Sequence, residues 1–431
     1  MVSHFAPSHQ QSFSWKSIPG FRELYWLIKL RAPGQLIIQY TDKCNAACPQ
    51  CNMRASAPFK RSKLSIDGVK RIIDHAAAQG VAALSITGGE PLLYLKDVCA
   101  LLRHANLAGI RFTRTGTNGF LFIHAQRPDF ERRITQVCEQ LLASGIYSFW
   151  ISIDSANVEI HECMRGLPGV VAGIERALPI FHQHGLYPSV NLGINRNVGD
   201  LALPASADAE AFHRHFHEAF QRFYERVIDL GITIVNACYP MSVPQDDSAG
   251  LNAVYQASAD DAIVQFSDLE KSLIFQALYD TIPEYRHKIR IFSPRTSLRA
   301  LARQYQQVDR AAFACRGGID FFFVDARDGD TYPCGYRGQE NLGKFWDLDI
   351  ASRDTKAHCT QCDWERFRDP SEIFGAAIGL FSDPKSWLHR MRQDPEYLKL
   401  WWEDIRYMRA CGYFNARLTP RYERLAVFKQ T

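Results

Sequence analysis

The chain has 431 residues, roughly three average domains of about 150 residues each, though barrels exceed that size. Its net charge of +4 is too mild to argue for nucleic acid as a partner, and 46% hydrophobic with 22% charged residues excludes dominant disorder. No stretch approaches the ~18 consecutive apolar residues of a membrane span. Met1 to Pro19 also lack the basic-then-apolar pattern of a secretory signal. These features predict a cytoplasmic chain with reduced thiols. Twelve cysteines are present and clustered, three within 44–51 and four within 315–362, a pattern that favours metal ligands over disulfides.

Residues 1–34 read as a helical extension, with an amphipathic helix over 21–31 ended by Pro33-Gly34. From residue 35 a strand-then-helix rhythm begins. Strands are predicted over 36–40, 82–86, 111–115, 148–153, 189–194 and 232–237. Helices are predicted between them, over 65–79, 95–107, 134–143, 170–184 and 212–230. Six strands joined by helix-sized crossovers imply a parallel sheet over 35–245, either open and doubly wound or an incomplete barrel. Residues 246–311 read as a helical linker. Residues 312–381 are Cys- and Gly-rich, with a hairpin over 321–324 and 331–334 around Asp328-Gly329. The tail, 382–431, is helical and aromatic, and its aromatic stripe reads as packing.

The first cysteine group, Cys44, Cys48 and Cys51, is a CxxxCxxC triplet directly after the first strand. Three thiolates on one loop suit three corners of an iron–sulfur cube, leaving one iron open. A zinc site completed by a distant fourth ligand is the alternative. The second strand ends in Gly88-Gly89-Glu90-Pro91, whose exposed backbone and carboxylate suit an ammonium-bearing zwitterion.

With these two motifs the sequence resembles the radical S-adenosylmethionine superfamily over roughly residues 35–240. Further matches in order are Thr117-Asn118-Gly119, Ser152-Ile153-Asp154 and Asn195-Arg196-Asn197. The resemblance implies an α/β fold, an incomplete (β/α)6 TIM-type barrel with its active site at the carboxyl ends of the strands. It implies a [4Fe–4S] cluster on Cys44, Cys48 and Cys51 whose fourth iron binds S-adenosylmethionine. Gly88, Gly89 and Glu90 would contact the methionine end, and Asn118, Ser152, Asp154 and Asn195 its polar edges. The implied chemistry is one-electron cleavage to methionine and a 5′-deoxyadenosyl radical, which abstracts hydrogen from substrate.

The second group comprises Cys315, Cys334, Cys359 and Cys362. Read alone, four thiolates on two loops and a hairpin suit zinc or iron–sulfur equally. The block resembles the SPASM and Twitch extensions, which implies a C-terminal auxiliary [4Fe–4S] cluster domain. A full SPASM domain continues with cysteines where this chain has Arg368 and Glu372, so one auxiliary cluster is expected, serving electron transfer. Cys99 and Cys138 read as buried thiols, and Cys411 has no evident partner. Cys163 and Cys238 follow strands four and six, where packing is favoured over a role at the barrel mouth. The run His213, His215, His217 reads as a solvated helix face.

A small-molecule biosynthetic substrate is expected, since only 34 residues precede the barrel and the tail lacks strands. Peptide or protein maturation is the runner-up, and a non-catalytic Fe–S or zinc sensor a distant third. The implied reductant is a flavodoxin or ferredoxin, and no nucleic-acid partner is expected.

Overall fold

Near-continuous apolar runs such as Leu36-Ile37-Ile38 and Phe321-Phe322-Phe323 can be buried on both faces only in a covered parallel sheet. The computed structural model describes residues 28–199, 208–240, 251–309 and 311–429 and shows that sheet. Its first six strands are β1 (Gly34–Thr41), β2 (Val81–Gly88), β3 (Phe112–Thr117), β4 (Ser148–Ser152), β5 (Ser189–Gly193) and β6 (Ile234–Cys238). They lie side by side in chain order, all parallel. The crossovers carry α1 (Ile66–Ala78), α2 (Leu95–Leu107), α3 (Phe130–Ala143), α4 (Val158–Arg165), α5 (Val170–Gln183) and α6 (Ala209–Asp229). The expected helix over 21–31 lies almost wholly outside the described residues.

Two features extend the six-strand reading. Beyond β6, after α7 (Asp268–Tyr285), a two-residue strand β7 (Arg290–Ile291) adds in parallel. On the far side, β8 (Phe321–Val324) pairs in parallel with β1, and β9 (Thr331–Tyr332) pairs antiparallel with β8. The hairpin expected within a separate unit therefore continues the main sheet. Its order is β7-β6-β5-β4-β3-β2-β1-β8-β9, and it does not close between β7 and β9. The result is an incomplete barrel.

Alternation along the strands separates two cores. Leu36, Ile38, Leu84, Ile86, Phe149, Ile151, Val190 and Val235 pack outward under the helices. Ile37, Phe321 and Phe323 face a second cluster with Tyr255, Trp364 and Phe367. Trp364 and Phe367 lie at the start of α9 (Glu365–Ser382), which follows α8 (Arg295–Tyr305). The tail forms α10 (Pro384–Gln393), α11 (Tyr397–Ala410) and α12 (Tyr422–Leu425). It is packed against the amino-terminal end of the barrel. Ala416 N donates to Tyr147 O at 3.0 Å, Tyr187 N to Ala416 O at 2.7 Å, and Arg290 to the carbonyls of Asn415 and Leu418. Tyr407 OH caps the β7 region through Ile289 O and Ile291 N.

Candidate active site

The loop after β1 is held in shape by one side chain. Arg61 donates to the carbonyls of Asp42, Met53, Arg54 and Ala57 at 2.7–3.1 Å. Five donors in a rigid fork explain how a single residue gathers four carbonyls. Inside this loop Cys48 is buried and Cys44 and Cys51 partly exposed, all three as free thiols. Burial pushes the Cys48 thiol up to about 11 and, with the neighbouring Cys48, the Cys51 thiol to about 12. Three crowded, desolvated thiols become thiolates only when a cation shares the site. Cys44 Sγ accepts only weak, long hydrogen bonds, from Ala46 N at 3.5 Å and Asn118 Nδ2 at 3.8 Å, and soft sulfur donors gathered on one loop suit an iron–sulfur cluster.

The neighbouring strand ends press on this loop. A Cβ at Gly88 would run into Thr41 O, and one at Gly89 into Lys43 O. Gly89 N and Glu90 N donate to those same two carbonyls, each at 2.8 Å. The two glycines thus let β2 approach the cysteine loop. Glu90, expected to face an ammonium group, is fully buried. Its oxygens accept from Leu92 N at 3.0 Å and Asn118 N at 2.6 Å. Burial raises its carboxyl to about 7 against the pull of those amides. Asn118 carries the link onward, donating to Asn45 Oδ1 at 2.9 Å and approaching Cys44 Sγ at 3.8 Å.

On the other flank stands a residue the sequence reading missed. Helix α4 ends in Arg165, whose backbone carbonyl accepts from Ala47 N at 2.9 Å. Its buried guanidinium pairs with Asp154 Oδ2 at 2.6 Å and lies close enough to oppose the pKa rise of all three thiols. Arg165 Nε has no hydrogen-bond partner. A buried donor left open beside three thiols is where an anionic group would sit. Asp154 also accepts from Gln50 Nε2 at 2.7 Å and Gly193 N at 3.3 Å, while its own N–H donates to His161 Nδ1 at 3.1 Å. Accepting at Nδ1 makes His161 neutral with the proton on Nε2, and burial lowers its pKa to about 4. Asn195 is wholly buried and donates to Asp154 O and Gly193 O while accepting from Asn197 N. Its polar atoms are engaged by its own turn and by the end of β4. Ser152 ends β4 half-buried on the same rim.

The four C-terminal cysteines also converge. Cys315 N donates to Cys359 O at 2.7 Å, and a Cβ at Gly317 would contact Cys315 Sγ and Cys334 Cβ. The Cys334 thiol is raised by burial and then by Cys315, to about 12, and Cys362 is raised by burial and by its three neighbours. Where further ligands were not expected, Arg368 donates to Phe313 O and Gln304 Oε1, and Glu372 pairs with Arg390. Among the described residues no three His, Cys, Asp or Glu side chains are gathered tightly enough for one metal ion.

Of the remaining candidates, Cys99 is half-buried, and Cys138 and Cys411 are buried. Cys163 is exposed on α4, and Cys238 ends β6 beside Glu365. His213 and His217 pair with Asp280 and Glu284 of α7 at 3.0 and 3.1 Å.

The family model described as the radical SAM superfamily matches residues 38–195. Over 350 residues the chain is 23% identical to the AdoMet-dependent heme synthase of Methanosarcina barkeri, covering 80% of this chain and 87% of that protein. It is 30% identical over 171 residues to the GTP 3',8-cyclase of Mannheimia succiniciproducens, covering 38% and 46% respectively. A solved structure, native anSMEcpe with bound AdoMet, superposes with a TM-score of 0.47 at 16% identity, covering 86% of this chain and 99% of that one. Among the described residues no helix is long and apolar enough to cross a membrane.

Proposed function

We propose that this chain, a radical S-adenosylmethionine enzyme, abstracts hydrogen from a small-molecule biosynthetic substrate inside its barrel, with Cys44, Cys48 and Cys51 as ligands of the reactive [4Fe–4S] cluster. The observation that carries the reading is the meeting of three buried or half-buried free thiols with the unpartnered Nε of Arg165 at the carboxyl ends of the strands. Cluster and S-adenosylmethionine together, when bound, supply one-electron cleavage of the sulfonium C–S bond and a 5′-deoxyadenosyl radical that takes the hydrogen atom.

The chain's own groups orient and enclose. Arg165, held by Asp154, offers its open N–H to the methionine carboxylate. The backbone at Gly88 and Gly89, with Asn118 and Ser152, borders the rest of the cosubstrate. Glu90 and Asn195 act one step removed, bracing the β2–β3 and β4–β5 ends that carry those groups. Cys315, Cys334, Cys359 and Cys362 would hold one auxiliary [4Fe–4S] cluster in electron transfer, and a flavodoxin- or ferredoxin-like donor would supply reducing equivalents.

The relatives' names, a heme synthase and a GTP cyclase, denote small-molecule chemistry and favour that class over peptide maturation. Incubating the reconstituted enzyme with deuterated candidate substrates tests this. Deuterium is expected in 5′-deoxyadenosine from a small molecule. Transfer from peptides alone would overturn the choice of substrate class.

A further inference from the structure

Below the cysteine loop, the barrel lumen holds a cavity of about 220 Å³, lined in part by α9 and by Met408 and Phe414 of the tail. Its lining combines Arg114 of β3, Trp150 of β4, Asn191 of β5 and Asn236 of β6 with Glu365 and Arg366 of α9. Charged groups inside a barrel are costly unless something answers them. Arg114 makes no ion pair among the described residues, and its buried Nε has no hydrogen-bond partner. Arg366 stands over the Trp150 ring at 5.2 Å, and its ion pair among the described residues is with the adjacent Glu365, at 3.7 Å. Burial, and then repulsion by Arg366, lowers the pKa of Arg114 to about 10 against the pull of Glu365. Asp369, also lining the cavity, is a weakened counter-charge near neutral pH, since burial raises its carboxyl to about 8 against the hydrogen bonds from Ser297 and Tyr239. Two acceptors, Asn236 Oδ1 and Glu365 Oε2, are also buried and unpartnered. The cavity therefore contains excess positive charge, open donors and open acceptors.

Resting on the reading of the chain as a radical enzyme acting within its barrel, we infer that this lumen is the substrate pocket and takes a small organic anion, a carboxylate or a phosphate monoester, that also bears a hydroxyl or amine. Arg114 and Arg366 bind the anion, and Asn236 and Glu365 accept from its neutral donor. Tyr255 lies within electrostatic reach of both Cys51 and Arg366, and its hydroxyl meets Thr87 Oγ1 at 3.4 Å at the end of β2. The cavity itself is lined by the opening residues Ser148, Ser189 and Ile234 of β4, β5 and β6, and Tyr255 couples its Arg366 to the carboxyl end of β2, on the side of the cysteine loop.

The test is calorimetric titration of the reconstituted enzyme with short-chain hydroxy- and amino-carboxylates, methyl phosphate and the matching neutral amides. At least one anion is expected to bind saturably, its amide about tenfold more weakly or not at all. Whether carboxylates or methyl phosphate bind identifies the anion class. Arg114→Gln and Arg366→Gln are each expected to weaken binding by about tenfold, and Arg114→Lys to recover part of the loss. Circular dichroism identifies folded variants, and should Arg114→Gln not fold, Arg366→Gln and Arg114→Lys carry the comparison. Anions that bind no better than amides, or that are indifferent to both arginines, would overturn the inference. S-Adenosylmethionine cleavage by the same wild-type preparation separates the two claims. Cleavage without anion binding rejects the pocket assignment alone, whereas no cleavage rejects the function on which it rests.

Discussion

On the proposed function, binding of S-adenosylmethionine depends on one buried charge, Arg165. Its partner Asp154 is 2% exposed, and removing one member of such a pair leaves the other desolvated, at about 3–5 kcal/mol. Arg165→Gln is therefore expected to lower thermal stability measurably and to raise the KM for S-adenosylmethionine by at least about tenfold. Asp369 provides a pH-dependent case. Its folded pKa of about 8 lies above the ordinary 3.8, so the folded chain keeps a proton that the unfolded chain releases. The stabilising contribution is complete below pH 3.8 and is lost as pH rises toward 8, on the order of 4 kcal/mol by pH 7. Asp369→Asn keeps hydrogen-bonding atoms for Tyr239 and Ser297 without that proton linkage. Its melting temperature relative to wild type should climb as pH increases from 4 to 8. A constant offset would contradict the assignment of a neutral buried carboxyl.

At the scale of elements, the close approach of β2 to the cysteine loop is set by two missing side chains. Gly89→Ala would force its Cβ into Lys43 O. The expected result is a folded protein with intact far-ultraviolet dichroism that has lost most of the N-terminal cluster's absorbance after reconstitution. The six central strands and five of their helices were legible because hydrophobic periodicity and crossover length both point to a parallel sheet. Cysteine spacing made both thiol groups visible for the same local reason. Helix α4 was not legible: eight residues, Val158–Arg165, give barely two turns and mix polar with apolar side chains. With it went Arg165, since nothing in the chain's order announces that residue 165 will lie beside residues 44–51. Glu90 and Asn195 illustrate the reverse limit. Their types and positions were noticed, but only the fold shows that backbone amides and carbonyls occupy their polar atoms.

For the whole molecule, the telling feature is that β8 belongs to the barrel's sheet. The segment carrying the second thiol group is hydrogen-bonded to β1, and Asp320 just before β8 receives both Arg31 and Arg316 in the protein interior. The barrel is thereby incomplete without the C-terminal half. A chain ended at residue 311 would expose Ile37 and its neighbours and strip one edge of β1. It is expected to accumulate as insoluble protein, and a soluble, cooperatively melting fragment would contradict this coupling. If both thiol groups hold [4Fe–4S] clusters, iron should be near eight atoms per chain, falling to about four in Cys334→Ala with Cys362→Ala. Zinc in place of iron at the second group would contradict that count.

The central claim is that this chain generates a radical at Cys44, Cys48 and Cys51, and reductive cleavage of S-adenosylmethionine measures it directly. Anaerobically reconstituted wild-type protein with dithionite should release 5′-deoxyadenosine and methionine, and Cys48→Ala should release neither. Undiminished cleavage by Cys48→Ala, or none by a wild-type protein carrying its full complement of iron, would contradict the account.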